Sequence, residues 1–485
     1  MIRQQMPRTR LASIFTAILC ISCLEVSAQP DVASGITTRS TDLLLAEQLT
    51  SDQVQLLDAI QRGCFNYLWL EVGSPAELVK DCRNASCASV AGVGFQLSAL
   101  PIGVERGWIS RAEGEQRAVR VLESLTERTD NRRRGVYLHF VDQNTGGLDP
   151  AAPEVQASTI DHALLVAGAV PAAVYFGGRT AELVDVLISE ADWQAYVTDE
   201  RNRICFGWRP LDPSSLDGPG SFRPWDWQWA SDEERLVYFL AVAAPQQHAV
   251  PPRMYYELDR RVMRYRDLPE FVASWNGALF TYFFSHCWIN YRQYGADNPS
   301  AFGVAAPPVD WFENSRRATL AHRERCHDVA SDWTTLRDGR WGLSPCNGFA
   351  EDGSPSYLVP SIRPNIVNDE NLCGGTVAPY AAGTAIMFTP RESISALEAL
   401  RMLADAPWAG WDDPAAGGFG LPDSFQCDLQ KASHNALAID AGPMLIGIEN
   451  FRTGLIWRLF HEHAMVARGV ERLDWRLRAE VKDES

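Results

Sequence analysis

Apolar positions in this chain recur mostly at helical spacing. Leu56, Leu57, Ile60, Cys64, Phe65, Leu68 and Trp69 form one such stripe, preceded by a capping box of Thr50 and Gln53. The pattern predicts a helix over 51–69. Similar stripes predict amphipathic helices over 111–128, 180–197 and 390–403, opened by the Ser110–Glu113 box, by Thr180 and by Thr389-Pro390-Arg391-Glu392. Between them lie segments that are apolar on every side: 90–104, 158–176, 232–244, 376–388 and 436–449. A helix apolar all round is buried, and an amphipathic one covers it. Two further segments, 275–294 and 310–326, also read as helices, the first of them rich in aromatics. The main strand-like piece is 136–141. Alternating buried and covering helices predict an all-α fold, a closed α/α toroid, as one domain over 50–470. An arm over 29–49 precedes it and a tail over 471–485 follows.

The closing stretch, Ile439 to Trp457, is the most unusual. It is nearly all apolar, yet it carries Asp440, Glu449 and Arg452. An unpaired buried charge costs several kcal/mol, so these groups must be paired, hydrogen-bonded or used. Gly442-Pro443 is expected to break the chain just before a helix, with Asp440 at its mouth. Arg452 is expected to pair with Glu449.

Charge narrows the partners. With 44 basic and 61 acidic residues the net charge is −17, which argues against nucleic acid or an anionic membrane surface. Residues 1–28 read as a secretory leader: Arg3, Arg8 and Arg10, an apolar run from Leu11 to Cys23, then Val26-Ser27-Ala28 as a cleavage site. A periplasmic or secreted protein is expected, with lipid attachment at Cys23 as the lesser alternative and no membrane span. Export would allow disulfides. Cys82 and Cys87 suit a small loop, and Cys326, Cys346, Cys373 and Cys427 suit two more bridges. Beyond the leader no Cys-x-x-Cys or His-x-x-x-His spacing occurs, so neither metal nor cofactor is expected. A monomer is expected.

The chemistry is expected at one end of the toroid. Long loops at 131–157, 199–230 and 327–375 run into the starts of buried helices, and they carry both acidic and aromatic residues. Cleavage of a glycosidic bond needs one protonated and one ionised carboxyl group, and aromatic faces hold sugar rings. Glu233 opens the apolar run Leu236–Leu240, where burial would raise its pKa as a general acid requires, whereas Glu234 fits the cap position after Ser231. Glu154, Asp161 and Asp369 are candidates for the second carboxyl. Trp275 and Trp227 are candidate sugar platforms. His286, Trp288 and Arg292 cluster at helical spacing as a sugar-binding face would, and Asp440 is a further candidate for binding.

Four stretches together resemble the bacterial glycoamylase domain family, (α/α)6 toroids that include endo-β-1,2-glucanases and a transglycosylase domain of cyclic β-1,2-glucan synthases. They are Val93–Trp108; Ser285–Arg292 with Asn314–Leu320; Gly375-Thr-Val-Ala-Pro379; and Ile439–Trp457. The resemblance implies an exported hydrolase acting on β-glucan, most simply β-1,2-linked. It places the family's helix-opening Glu on Glu233 and its Glu…Ser-x-Ile-Asp element on Glu154, Ser158 and Asp161. The chain departs from the family at Cys373-Gly374, where an acidic residue is usual, at Asn290 in place of Asp, and at Ala441 in place of Gln. The alternatives are a retaining transglycosylase and a sugar-binding toroid without activity.

Overall fold

A computed structural model describes residues 35–36, 45–198 and 202–478. The leader, most of the arm and the end of the tail lie outside the described residues. Thirteen α-helices are described: α1 Ser51–Leu70, α2 Val90–Glu105, α3 Arg111–Thr126, α4 Thr159–Phe176, α5 Gly178–Glu190, α6 Asp232–Ala243, α7 Arg253–Tyr256, α8 Trp311–Asp328, α9 Pro379–Thr384, α10 Pro390–Leu403, α11 Ala438–Arg452, α12 Leu455–His461 and α13 Ala464–Arg472. The Thr50–Gln53 and Ser110–Glu113 capping boxes form as their spacing predicts.

The apolar elements make an inner ring. α2 packs on α4, α4 on α6, and α6 on the segment 279–288; α9 packs on α11, and α11 returns to α2. Phe283 meets Tyr380 edge to face at 5.9 Å and completes the circuit. The amphipathic helices α1, α3, α5, α8 and α10 pack around it. This is the all-α toroid that the alternation predicts. The closest approach is between α2 and α4. A Cβ on Gly168 would stand 2.0 Å from the Gly94 carbonyl oxygen, so only glycine lets the backbones meet there. Ser98 ties three inner elements together: its hydroxyl donates to the Gly168 carbonyl at 2.8 Å and accepts the Trp288 indole N–H at 2.9 Å. α4 is long and apolar enough to cross a membrane, but 89% of it is buried among the other helices.

The small strands all lie in the segments that lead into inner elements. Two-residue to four-residue strands at 87–89, 132–158, 197–222, 262–272, 346–358 and 424–433 pair into seven small sheets. They stiffen one end of the ring, where the acidic loops gather.

Several expectations are corrected. Residues 275–294 do not form a regular helix but three 3-10 turns, at 279–282, 285–287 and 291–293. The Ser285 and His286 N–H groups donate to the buried Asp232 carboxylate at 3.0 and 3.4 Å, which diverts them from the helical ladder. α5 starts at Gly178 rather than after Thr180, because Gly177 and Gly178 take φ of 71° and 47° and turn the chain sharply out of α4. α11 runs through Gly442-Pro443 from Ala438. Glu449 pairs with Arg106 at 2.7 Å, while Arg452 reaches Asp58 and Gln61. The nine cysteines among the described residues are unpaired thiols.

The platform expected from Trp288 is likewise replaced by a core role. Its side chain is 0% exposed and stacks on Phe95 with centroids 5.0 Å apart. Trp288→Ala is expected to lower unfolding free energy by roughly 3–5 kcal/mol, read as a fall in the urea midpoint. A Trp288→Ala protein with unchanged midpoint would contradict this placement.

Candidate active site

Three consecutive acids open α6, and because successive helical residues point about 100° apart, each meets a different environment. Asp232 turns inward, is fully buried, and joins Arg235 and the 285–286 backbone. Glu234 is buried and accepts from the Ser231 hydroxyl, a side-chain contact rather than the backbone cap expected. Glu233 is partly exposed. Burial first, and the neighbouring Asp161 second, push its pKa up to about 8. At neutral pH it is a carboxylic acid.

Asp161 is the third residue of α4, whose N-cap Ser158 accepts the Asp161 N–H at 3.5 Å. Burial raises its pKa and the adjacent His139 opposes the rise. Glu154 lies four residues before Ser158. Its carboxylate accepts from His139 Nδ1 at 2.7 Å and meets Arg209. Burial alone would raise its pKa, but the two cationic partners outweigh that and hold it at about 2. His139 Nε2 stands 3.5 Å from Asp161 Oδ1.

Backbone pairing of three separate loops makes this cluster. His139 N–H donates to the Gln156 carbonyl at 2.8 Å. Ala157–Ser158 pairs antiparallel with Gly207–Trp208, and Trp208–Arg209 pairs in turn with Ser221–Phe222. That register sets Arg209 against Glu154 and Gln156. Asp81 comes from a fourth loop, pinned to α11 by the Ala438 N–H donating to its carbonyl at 2.9 Å, and its charge acts on both His139 and Asp161.

Asp440 is also placed at the start of an inner helix, and it is 4% exposed. It hydrogen-bonds Asp423, whose carboxylate also accepts the Asn347 N–H at 2.8 Å. Burial raises both carboxyl groups, Asp423 to about 7 and Asp440 well above the usual range, so the pair retains a proton.

The remaining candidates divide. Trp275 is partly exposed, in a loop held by the Val367 N–H on its carbonyl. Trp227 is 6% exposed; its ring stacks on Phe206 at 3.9 Å and its N–H donates to Thr159 Oγ1, so it supports the start of α4 from beneath. His286 is core: 0% exposed, with Nε2 3.0 Å from Ser315 Oγ and the ring against Tyr291 and Phe388. Arg292 is exposed where the chain leaves the inner segment, over Phe312 of α8, away from the cleft loops. Asp369 stays exposed on a rim loop, its backbone held by Asn365, and does not join the carboxylate cluster. Helical spacing misplaced His286 and Arg292 because the segment is not a regular helix. His139, Arg209, Asp81 and Asp423 were missed; they are isolated in sequence, and the 136–141 alternation gave the one hint, setting His139 on a strand-like piece.

The glycoamylase family model, described as "Putative glucoamylase", matches residues 224–464. That match covers just under half of the chain. A curated relative, an exo β-1,2-glucooligosaccharide sophorohydrolase (non-reducing end) of Parabacteroides distasonis, is 24% identical over 463 residues, which cover 86% of this chain and 58% of the relative. The chain thus spans little more than half of that protein's length. Among solved structures, an endo-β-1,2-glucanase from Chitinophaga pinensis, in complex with sophorotriose and glucose, is 21% identical with a TM-score of 0.72 over 88% of this chain and 99% of that one. A glucoamylase-like protein from Bacteroides fragilis is 24% identical with a TM-score of 0.73 over 91% and 100%. An endo-β-1,2-glucanase from Talaromyces funiculosus is 10% identical at a TM-score of 0.59 over 88% and 92%. These likenesses establish the toroidal fold.

The raised pKa of Glu233 has a stability consequence. Its folded value of about 8 lies above the ordinary 4.5, so the fold favours the protonated form. That stability is complete below the ordinary value and is lost as pH rises to about 8. Glu233→Gln is expected to raise the melting temperature at pH 9 and leave it nearly unchanged at pH 4. A lower melting temperature than wild type at pH 9 would show that burial of this carboxyl is not the strain inferred.

Proposed function

We propose that this protein is a glycoside hydrolase acting on β-1,2-glucan, with Glu233 as the general acid. The observation that carries the reading is the contrast inside one cluster. A partly exposed carboxyl with a pKa of about 8 feels the charge of Asp161, which His139 links to a Glu154 held at about 2. One neutral and one ionised carboxyl at the same pH is what acid-assisted glycoside cleavage uses. Glu233 protonates the departing glycosidic oxygen, and a carboxylate from the α4 side, Asp161 or Glu154, assists the attacking water. Trp275 offers a partly exposed aromatic face for a sugar ring. The Asp423–Asp440 pair, at the start of α11, is suited to hold substrate hydroxyls.

The choice of β-1,2-glucan is supported by the sophorohydrolase relative and by the glucanases that share the fold. The leader-like residues 1–28 support a periplasmic or secreted location, which fractionation of cells producing the full chain would test.

Glu233→Gln is expected to cut kcat by roughly 10²–10⁴-fold while the protein still folds and binds glucan. Incubation with linear glucans of different linkage, followed by NMR, should give new reducing ends from the β-1,2-linked polymer. Wild-type turnover in Glu233→Gln, or cleavage of every glucan except the β-1,2-linked one, would overturn the reading. In wild type, activity should fall as pH rises through about 8, where Glu233 loses the proton that it donates. Asp369→Asn, on the rim, should leave kcat within about twofold, and a loss as large as that of Glu233→Gln would place it in the catalytic cluster after all.

A further inference from the structure

His139 stands between two acids. Its Nδ1 is 2.7 Å from Glu154 Oε1 and its Nε2 is 3.5 Å from Asp161 Oδ1. A neutral imidazole carries a single N–H, so one of those nitrogens would turn a lone pair toward a carboxylate. The imidazolium has a donor for each. The ring stacks on Phe140 with centroids 3.7 Å apart, and the main chain beneath it is pinned on both sides. The residue's N–H is held by the Gln156 carbonyl at 2.8 Å, and its carbonyl accepts the Val90 N–H at 2.9 Å.

We propose that His139 is a positioning residue: as an imidazolium it ties Glu154 and Asp161 into one unit and keeps both ionised beside the proton that Glu233 carries. The proposal rests on Glu233 as the general acid. The groups around the ring are mostly acidic. Glu154 and Asp161 touch it, and Asp81 acts on it from the loop before α2. Arg209 lies beyond, on the far side of Glu154, and Arg223 adds positive charge there. Glu233 lies beyond Asp161. Burial disfavours the charged ring, but the three carboxylates outweigh it and raise the His139 pKa to about 9. The consequence reaches Glu233. While His139 is charged, the buried Asp161 remains a carboxylate, and the proton of the cluster stays on Glu233. Without that charge, Asp161 takes up a proton at higher pH, and the cluster then holds two neutral acids.

The test is the pH profile of His139→Gln, which keeps a hydrogen-bond donor but loses the charge. An adjacent cation lowers a carboxyl pKa by about 1–3 units, so the acidic limb of kcat should move up by about that much, with KM little changed. A folded His139→Gln enzyme whose acidic limb stays in place would overturn the proposal. Should that variant not fold, ¹⁵N NMR of the unsubstituted protein with labelled histidine decides. One ring should remain doubly protonated at pH 8, and finding every histidine neutral there would overturn the proposal. Glu233→Gln separates the two readings. Its full activity would remove the general-acid assignment, whereas the charge on His139 is measured without reference to turnover.

Discussion

Keeping charge out of water at the mouths of apolar helices is the constraint on which the site depends. An ionised carboxylate in such a place costs several kcal/mol unless it is compensated. The protein meets that cost in three ways within one cleft. Glu154 keeps its charge because His139 and Arg209 oppose it. Glu233 has no cation among its dominant influences and keeps its proton instead. Asp423 and Asp440 hydrogen-bond to each other and retain a proton between them. Proton placement in the cleft follows from which acid the fold supplies with a cation.

The ring beneath makes that arrangement rigid. Its inner helices are apolar on all faces, and α2 and α4 meet at glycines where no side chain would fit. Ser98 and Trp288 link three inner elements through paired hydrogen bonds. The polar groups that cannot enter this core gather at one end, in loops stiffened by short antiparallel strands. Stability and chemistry are therefore spatially separated. Residues such as Trp288, His286 and Asp232 hold the ring, and the loops that lead into the inner helices, with the first helical turns, hold the site. A desolvated Glu233 works against the stability of the fold above neutral pH, a cost that active sites commonly carry.

Much of the fold was legible in the chain because helical periodicity and capping are local. α1, α3, α4 and α10 begin and end close to where their stripes and caps place them. The aromatic segment 275–294 shows the limit. Its spacing suits a helix, but Asp232, 53 residues away, takes the Ser285 N–H and breaks the ladder. His286 and Arg292 therefore do not share a face, and the sugar-binding surface read from their spacing does not exist. Trp227 and Trp288 show a related limit: an indole suits a core as well as a sugar platform, and burial alone distinguishes them.

By itself the sequence determined the alternation of buried and covering helices, the loops that carry the acids, and Glu233 and Asp161 as acids at inner-helix starts. Those are properties of neighbouring residues along one chain. Only the tertiary structure decided which acid is neutral and which is charged. The pKa of a carboxyl depends on its burial and its partners, and the partners come from afar: His139 is 15 residues from Glu154 in sequence and Arg209 is 55. The strand register that brings them together leaves no pattern in the sequence around Glu154, so His139 became visible as part of the site only once the loops were folded against one another.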